Sequence, residues 1–587
     1  MRSLFPFATN ASMSTIALSS VLDRLDASSL QALYPYDAYN LVLRIAKRQS
    51  SEDLQKSLLE SLSVTELLST EDSRRLVLSV LQSSETRQLL AAYGMKDAGS
   101  NGENLRQLDA VLHEKCNESH GLDPFFLTFG ADPRELEVDD EELEVVVTPF
   151  ASEAHAGYPL HPYQRDVLNR VVKCYRGDEH RLPATRALLH MPTGSGKTRT
   201  AMVLACRYLM SHPQGLVIWL ADTYELCSQA AEEFLHAWHH LGDRNIPLYR
   251  IYGKLDESPD YAKIEHGFVV ATLQSATSAR RKEVEGDLRT LSALAARRPF
   301  VIVDEAHKAP APQYKKAIET LLPVTLSNNK ARLLGLSATP GRATNDRDAD
   351  QPLVRMFGGN IFSLRVEGYP TPIDFLTDEG YLARAVFRQV PSTISFEALN
   401  LTQSEREGHI SKDRLSELLR YIGDDVERNF LIFEELKKLT ERHQRIIFFA
   451  ASVAQSKRMA YVLRLAGIAA KSVSAEDTTP SERVRTIHWF KTSRTKAPEA
   501  RIICNYGILT TGFDAPETSA VLIGRPTQSL VLYSQMVGRG LRGLKAGGNA
   551  QAEIVTVVDH AIKGFSDVSA AFTNWNDSWH QPHADRL

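Results

Sequence analysis

The chain has few cysteines, and their spacing does not match that of a metal-binding or disulfide-rich site. The 587 residues include five cysteines, no two of which form a Cys-x-x-Cys pair: Cys116, Cys174, Cys206, Cys227 and Cys504. A zinc ribbon, an iron–sulfur cluster or a disulfide framework would each need closely spaced cysteines, so all three are excluded as expectations. We therefore expect a protein of the reducing cytoplasm.

Long apolar runs and a strong charge of either sign are also missing. The first residues carry one basic group, and Asn10 and Ser12 interrupt the apolar stretch, so no cleavable signal is predicted. No run is long and apolar enough to predict a bilayer span. Because the formal net charge is only −4, any surface for nucleic acid must be a local patch.

A glycine-rich segment of the kind that binds phosphate is present at residues 190–198, His-Met-Pro-Thr-Gly-Ser-Gly-Lys-Thr. Glycines let the backbone turn its N–H groups toward phosphate oxygens, and a following helix adds its positive N-terminal end. Lysine then supplies charge to the terminal phosphates, and threonine supplies a hydroxyl to a magnesium ion. The predicted nucleotide-binding residues here are Thr193, Gly194, Ser195, Gly196, Lys197 and Thr198.

An acidic box follows at residues 301–307, Val-Ile-Val-Asp-Glu-Ala-His. Its β-branched residues predict a buried strand that ends at Asp304. That carboxylate is placed to hold the metal together with Thr198, and Glu305 beside it can polarise water. The glycine-rich loop and the acidic box, in this order and each behind an apolar run, predict hydrolysis of a nucleoside triphosphate.

Hydrophobic periodicity divides the chain into five parts. Leucines at helical spacing predict a small all-helical domain over residues 1–125, where the apolar stripe forms a core or, alternatively, docks a partner. Acidic residues mark a linker over residues 126–157. Alternating strand-like and helical stretches predict an α/β fold with parallel sheets: one lobe over residues 158–365, a bridge with helices over residues 366–440 and a second lobe over residues 441–587.

Further boxes keep a fixed order around these two. Leu-His-Pro-Tyr-Gln lies at 160–164, Leu-Ser-Ala-Thr-Pro at 336–340, Thr-Thr-Gly-Phe-Asp-Ala-Pro at 510–516 and Gln-Met-Val-Gly-Arg-Gly-Leu-Arg at 535–542. Over about residues 158–565 this resembles a superfamily 2 helicase core with two RecA-like lobes, most similar to the bacterial group of Res subunits and RadD-like helicases. Met191 and His161 depart from the usual Gly and Arg, and no cysteine cluster follows the second lobe.

The resemblance implies a role for each matched residue. The amide of Gln164, next to Tyr163, would pair with the edge of adenine, and Asp514 would also contact the nucleotide. Glu305, Asp304 and Lys197 would act in catalysis with Gln535, Arg539 and Arg542 of the second lobe. Ser337 and Thr339 would couple hydrolysis to lobe movement. The implied contacts to a nucleic-acid backbone are Thr223, Gln229, Thr272, Gln274, Ser452, Thr510 and Thr511.

From the resemblance we expect an ATP-dependent helicase or translocase with ATP and Mg²⁺ as cofactors. DNA is favoured over RNA, the setting is bacterial DNA repair or restriction and antiviral defence, and the N-terminal domain is a candidate for binding a protein partner. No membrane, zinc or iron–sulfur cluster is expected. Two alternatives stay open: an RNA-dependent ATPase that remodels RNA, and a nucleotide-switched clamp that serves a partner effector.

Overall fold

A computed structural model describes most of the chain between residues 15 and 559. The described ranges are 15–34, 38–49, 64–68, 70–116, 121–131, 146–148, 157–177, 183–252, 261–284, 291–322, 331–338, 347–364, 366–392, 394, 401–406, 410–474, 480–492, 499–509, 515–527 and 529–559.

The N-terminal part is helical wherever the structure describes it. Side chains of Asp26, Thr70 and Ser100 cap three of its helices by accepting hydrogen bonds from backbone N–H groups in the first turn. Leucines at helical spacing meet in a shared core, in agreement with the predicted apolar stripe. The helices are α1 Leu18–Leu22, α2 Ala27–Leu33, α3 Tyr39–Gln49, α4 Val64–Leu67, α5 Glu71–Ser79, α6 Ser83–Ala92, α7 Asn101–Lys115 and α8 Asp123–Thr128.

The first lobe is an α/β layer structure around a sheet that contains eight strands among the described residues, in the order β1-β4-β5-β3-β6-β7-β2-β8. Its strands are parallel except β1, which pairs antiparallel with β4. Central strands such as β3 are buried along their whole length because helices cover both faces. The strands are β1 Val146–Thr148, β2 Arg186–His190, β3 Leu216–Ala221, β4 Ile246–Ile251, β5 Gly267–Thr272, β6 Phe300–Val303, β7 Arg332–Ser337 and β8 Ile361–Ser363. The helices are α9 Pro162–Arg176, α10 Lys197–Ser211, α11 Tyr224–Leu241, α12 Leu273–Val284, α13 Leu291–Ala296, α14 Pro312–Thr320 and α15 Arg347–Met356.

The second lobe repeats this plan with a parallel sheet that has six strands in the described part of the chain, in the order β11-β12-β10-β13-β14-β9. The two tandem RecA-like lobes predicted from the sequence are therefore confirmed. The strands are β9 Arg384–Pro391, β10 Arg445–Phe449, β11 Ala469–Ser474, β12 Arg501–Tyr506, β13 Ala520–Ile523 and β14 Gln551–Val558. The helices from the bridge onward are α16 Pro372–Asp378, α17 Gln403–Arg406, α18 Lys412–Asp424, α19 Val426–Thr440, α20 Val453–Leu465, α21 Pro480–Lys491 and α22 Leu530–Val537.

The helical N-terminal part packs on the second lobe, where α3 lies against α19. Arg44 Nε is 2.9 Å from Glu427 Oε1, and the same guanidinium lies 4.5 Å from the centre of the Phe430 ring. Tyr34 meets Tyr461 edge-on, with ring centres 6.3 Å apart. Because apolar residues of both parts share one core cluster, the N-terminal domain is attached to lobe 2 by packing.

The structure divides the chain differently from the sequence in two places. Strand β1 lies within the segment assigned to the acidic linker, yet it pairs with β4 of the first sheet. Strand β9 lies within the segment assigned to the bridge, yet it pairs along its whole length with β14. Both are edge strands. An edge strand pairs on one side only and is partly exposed to solvent, so its apolar pattern is weaker than that of a central strand.

None of the helices that the structure describes combines the length and the apolar character that a membrane crossing needs.

Candidate functional site

Chemically active residues of the first lobe gather at one edge of its sheet. The glycine-rich loop follows β2, Asp304 follows β6 and Ser337 ends β7. In parallel sheets the carboxyl ends of the strands share one edge, where open α/β folds bind their ligands. There the loop and the acidic pair line a cleft of about 500 Å³, which the second lobe closes on its other side.

The glycine-rich loop has the backbone geometry that phosphate binding requires. Gly194 and Gly196 have φ values of +89° and +82°, and α10 begins at the next residue, Lys197. A larger residue at Gly196 would be strained by this left-handed φ, and its Cβ would lie 2.1 Å from Gln164 Nε2, so the Gln164 side chain would have to move. The Ser195 hydroxyl donates to the Pro192 carbonyl at 2.7 Å and closes the loop on itself.

The acidic pair depends on a strained backbone. Glu305 has φ +47° and ψ +51°, a left-handed conformation that is uncommon for residues other than glycine. Consecutive residues of an extended strand point to opposite sides, so this turn lets the side chains of both Asp304 and Glu305 line the cleft. The Glu305 N–H donates to Asp304 Oδ1 at 2.9 Å, and His307 Nδ1 lies 3.2 Å from Glu305 Oε2.

Burial and neighbouring charges shift the pKa values of the two carboxyl groups in opposite directions. Burial raises the pKa of Asp304 to about 6, with Lys197 opposing and Glu305 adding to that effect. Burial would also raise the pKa of Glu305, but Lys197, His307 and Arg539 outweigh it and lower that pKa to about 2. Glu305 is therefore ionised at neutral pH and can accept a hydrogen bond from a water molecule.

Asp304 and Thr198 fit the requirements of a magnesium site. Asp304 is buried where a free carboxylate is costly, and a bound cation offsets that cost. Thr198 lines the same cleft one residue after Lys197. When bound, Mg²⁺ would neutralise charge on the phosphate oxygens, while Lys197 and the loop N–H groups hold them in place.

The second lobe contributes two arginines to this cleft. Arg542 Nη1 donates to the Gly194 carbonyl at 2.7 Å, so it touches the phosphate loop of the opposite lobe. The charge of Arg539 acts on Glu305 across the same space. Gln535, also predicted to be catalytic, is buried on α22 and is not among the described residues that line the cleft.

Gly538 lies close against Thr193 of the first lobe. A Cβ built on Gly538 would lie 2.6 Å from Thr193 Cγ2 and 2.9 Å from Thr193 Cβ. Contacts this short do not occur in folded proteins, so the glycine lets the end of α22 rest directly on the phosphate loop. The arginines that follow can then reach the cleft.

Replacing Gly538 with valine should hold the lobes apart and reduce kcat roughly a hundredfold, as expected for displacement of catalytic groups by about 1 Å. ATP binding to the first lobe should change little, which isothermal titration with a slowly hydrolysed analogue would measure. Gly102→Ala is the matched control, since a Cβ there meets nothing within 4 Å. Wild-type turnover in Gly538→Val would contradict the proposed contact.

Tyr381 and Lys545 also line the cleft, although neither belongs to a motif that predicts a site. The Tyr381 ring lies 4.5 Å from the centre of the His161 ring and 5.2 Å from that of Tyr163, joining the lobes through aromatic contacts. Lys545 Nζ lies 4.8 Å from the centre of the Tyr381 ring. Tyr381 lies in the predicted bridge, where a lone tyrosine is indistinguishable from a core residue.

Gln164 and Tyr163 line the cleft, and their side chains also form hydrogen bonds within the protein. The amide of Gln164 is engaged within the protein: Oε1 accepts from the His161 N–H at 2.9 Å, and Nε2 donates to the Ser195 carbonyl at 3.0 Å. Tyr163 likewise donates to the Ser195 carbonyl at 3.0 Å. Gln229, expected to contact nucleic acid, instead lines the nucleotide cleft, because it lies one turn inside α11 next to the loop.

Three other predicted nucleic-acid contacts are helix caps. The hydroxyl oxygens of Thr223, Thr272 and Ser452 each accept a hydrogen bond from a backbone N–H three residues later. Each follows or ends a parallel strand, so each lies at the carboxyl edge of its sheet. Gln274 is exposed beside Thr272, and Ser337 is fully buried, with its carbonyl accepting from the Met191 N–H at 3.1 Å. Four predicted residues lie outside the described residues: Thr339, Thr510, Thr511 and Asp514.

Each lobe matches a known protein family. Residues 157–342 match the type III restriction enzyme Res subunit, and residues 430–543 match the helicase conserved C-terminal domain. The two matches cover the phosphate loop and acidic box on one side of the cleft and both arginines on the other.

Several known proteins are similar to longer stretches of the chain. A 51.5 kDa protein of a Lactococcus phage (isolate 7-9) is 28% identical over 243 residues, covering 41% of this chain and 46% of the phage protein. The type I restriction enzyme EcoKI endonuclease subunit of Escherichia coli K12 is 24% identical over 417 residues, covering 65% of this chain and 33% of the subunit. The ATP-dependent DNA helicase uvsW of Enterobacteria phage T4 is 22% identical over 405 residues, covering 68% of each protein. The chain thus spans less than half the length of the first two.

Proposed function

Because the chain belongs to the ATP-hydrolysing superfamily 2 helicases, in the group that resembles the Res subunits of restriction enzymes, we propose that it couples ATP hydrolysis to movement along a DNA strand. ATP and Mg²⁺ are its proposed cofactors. The observation that carries the proposal is the hydrogen bond from Arg542 of one lobe to the phosphate loop of the other.

This contact makes the state of the nucleotide and the position of the lobes interdependent. Lys197, Asp304 and Glu305 lie on the first lobe, whereas Arg539 and Arg542 lie on the second, so the complete catalytic set exists only when the lobes are closed. During transfer, charge develops on the γ-phosphoryl group and attracts the arginines of the second lobe, which favours closure. Release of the products removes that charge. Each turnover therefore closes and reopens the gap between the lobes.

Strand tracking follows if both lobes hold nucleic acid at the carboxyl edges of their sheets. The capping hydroxyls of Thr223, Thr272 and Ser452 lie at these edges, and hydroxyl groups of this kind contact the sugar–phosphate backbone and not the bases. The names of the relatives favour DNA, since one is a DNA helicase and another a subunit of a restriction enzyme. We place the protein in bacterial DNA repair or in restriction and antiviral defence, acting in the cytoplasm.

The N-terminal helices are proposed to bring a protein partner or a substrate to the motor. They pack against α19, so anything bound to them would move with the second lobe. A partner bound to these helices would therefore change position relative to the first lobe each time the cleft closes.

Single-stranded DNA should stimulate ATP hydrolysis at least about tenfold at low salt, and added salt should reduce the stimulation steeply because backbone binding releases counterions. The measurement compares single-stranded DNA, double-stranded DNA and RNA at one fixed salt concentration. Displacement of a protein roadblock from DNA tests movement, and Glu305→Gln should abolish it while leaving ATP and DNA binding intact. If RNA stimulated ATP hydrolysis and DNA did not, RNA would be the substrate. ATP-dependent DNA binding without displacement of the roadblock would indicate a clamp.

A further inference from the structure

Residues outside the glycine-rich loop line the part of the cleft that would hold the sugar and base of a nucleotide. Phosphates belong beside Lys197 and Asp304, so the sugar and base must occupy the rest of the cleft. Gln164, whose amide the sequence assigned to the base, donates to Ser195 and accepts from His161. Gln164 lines the cleft with both polar atoms of its amide already hydrogen-bonded within the protein, so other residues of the cleft wall can supply contacts to the sugar.

Helix α11 presents two polar residues to the same cleft. Gln229 and Glu233 are four residues apart, hence on one face of the helix, and both line the cleft together with Arg199 of α10. Helices α10 and α11 pack against each other, which places this face beside the start of α10. The pair therefore lines the cleft on the side of Pro159 and Arg199.

Glu233 is held in place by a chain of contacts. Its Oε1 accepts a hydrogen bond from the Tyr158 hydroxyl, and the Arg199 guanidinium lies 3.9 Å from the centre of the Tyr158 ring. Arg199 Nε in turn donates to the Pro159 carbonyl at 3.3 Å. Burial raises the pKa of Tyr158, so its hydroxyl remains a donor and fixes the carboxylate.

A carboxylate in this position suits one part of a nucleotide. It repels phosphates and accepts hydrogen bonds from hydroxyl groups, as acidic residues do at the ribose of bound dinucleotides. We propose that Glu233 binds the 2′-hydroxyl of the ribose, that Gln229 lines the same sugar subsite, and that this wall selects ribonucleotides over deoxyribonucleotides. The inference rests on the proposed ATP-dependent function and names the part of the substrate that α11 recognises.

Direct binding of ADP and 2′-deoxy-ADP, measured by isothermal titration calorimetry on the full chain, tests the proposal. Wild-type protein should bind ADP roughly tenfold more tightly than 2′-deoxy-ADP, the value of a hydrogen bond to a charged group. Glu233→Gln should weaken ADP binding by a similar factor, should leave 2′-deoxy-ADP binding within about twofold of wild type, and should thus remove the discrimination. Glutamine still accepts from Tyr158, so folding should be preserved.

Glu232→Gln is the matched control, because it removes the same charge from an exposed position on the same helix and should keep wild-type discrimination. Tyr158→Phe keeps the ring beneath Arg199 and removes only the hydroxyl, so it should reduce the discrimination partly. Equal weakening of both nucleotides in Glu233→Gln, or no discrimination by wild type, would overturn the ribose assignment. DNA-stimulated ATP hydrolysis by wild type and Glu232→Gln, measured in parallel, reports separately on the proposed motor.

Discussion

Replacing Lys197 with alanine is expected to abolish ATP hydrolysis, with kcat falling at least about a hundredfold, the effect of removing one preorganised contact to developing charge. Lys197 begins α10 at the mouth of the phosphate loop, and its charge acts on both Asp304 and Glu305. Without that charge the terminal phosphates would lose a cation besides the metal, and the two buried carboxylates would lose a positive charge that acts on both. Phosphate release under saturating single-stranded DNA measures the loss.

The control for this variant is Lys316→Ala, which removes an exposed lysine from α14 of the same lobe. It should keep wild-type turnover. A thermal unfolding curve for Lys197→Ala should match that of wild type, since the lysine is only partly buried. Retained turnover in a folded Lys197→Ala protein would remove the loop from the mechanism.

Replacing Arg542 with alanine is expected to slow turnover about a thousandfold, the scale of an arginine that stabilises phosphoryl transfer from outside the first lobe. The effect should appear in kcat and much less in ATP affinity, because Lys197 and the loop N–H groups, which bind the phosphates, are untouched. Arg542 also bonds to the Gly194 carbonyl, so its loss should favour the open arrangement of the lobes. Single-turnover kinetics with equilibrium ATP binding separate these two quantities.

Arg542→Lys should recover little of the activity, since a lysine has one point charge and lacks the planar donor fork of a guanidinium. Arg384→Ala, at an exposed position on β9 of the same lobe, should behave as wild type. If Arg542→Ala weakened ATP binding in proportion to turnover, the residue would be holding the nucleotide in the ground state and would not act on the transition state.

Residues of the cleft that depend on local chain geometry could be predicted from the sequence. The loop from Thr193 to Thr198 needs glycines at two left-handed positions and a helix directly behind it, and all of these features are local. The acidic pair follows a buried strand for the same reason. Arg539 and Arg542 were found through their spacing after Gln535, although only the fold brings them within reach of Gly194.

Residues whose role depends on distant packing could not be found in this way. Tyr381 belongs to a segment without a recognisable motif, and it reaches the cleft because the chain after α16 bonds to the segment around Gly543. Gln229 lies within a box that suggests nucleic acid, but the packing of α11 on α10 directs this position toward the nucleotide. The left-handed backbone of Glu305 likewise has no sequence signal, because a glutamate there violates local preference.

The amino-acid sequence by itself determined two α/β lobes with parallel sheets, a glycine-rich loop followed by a helix, an acidic pair after a buried strand and a helical N-terminal domain. Each follows from periodicity or from a short motif whose geometry is set within a few residues. Tertiary structure alone decided that Arg542 of lobe 2 meets the loop of lobe 1, that the N-terminal helices pack on lobe 2 and that Gln229 and Glu233 of α11 line the cleft. These contacts join residues far apart in the chain, and their free energy comes from side-chain packing that no local pattern encodes.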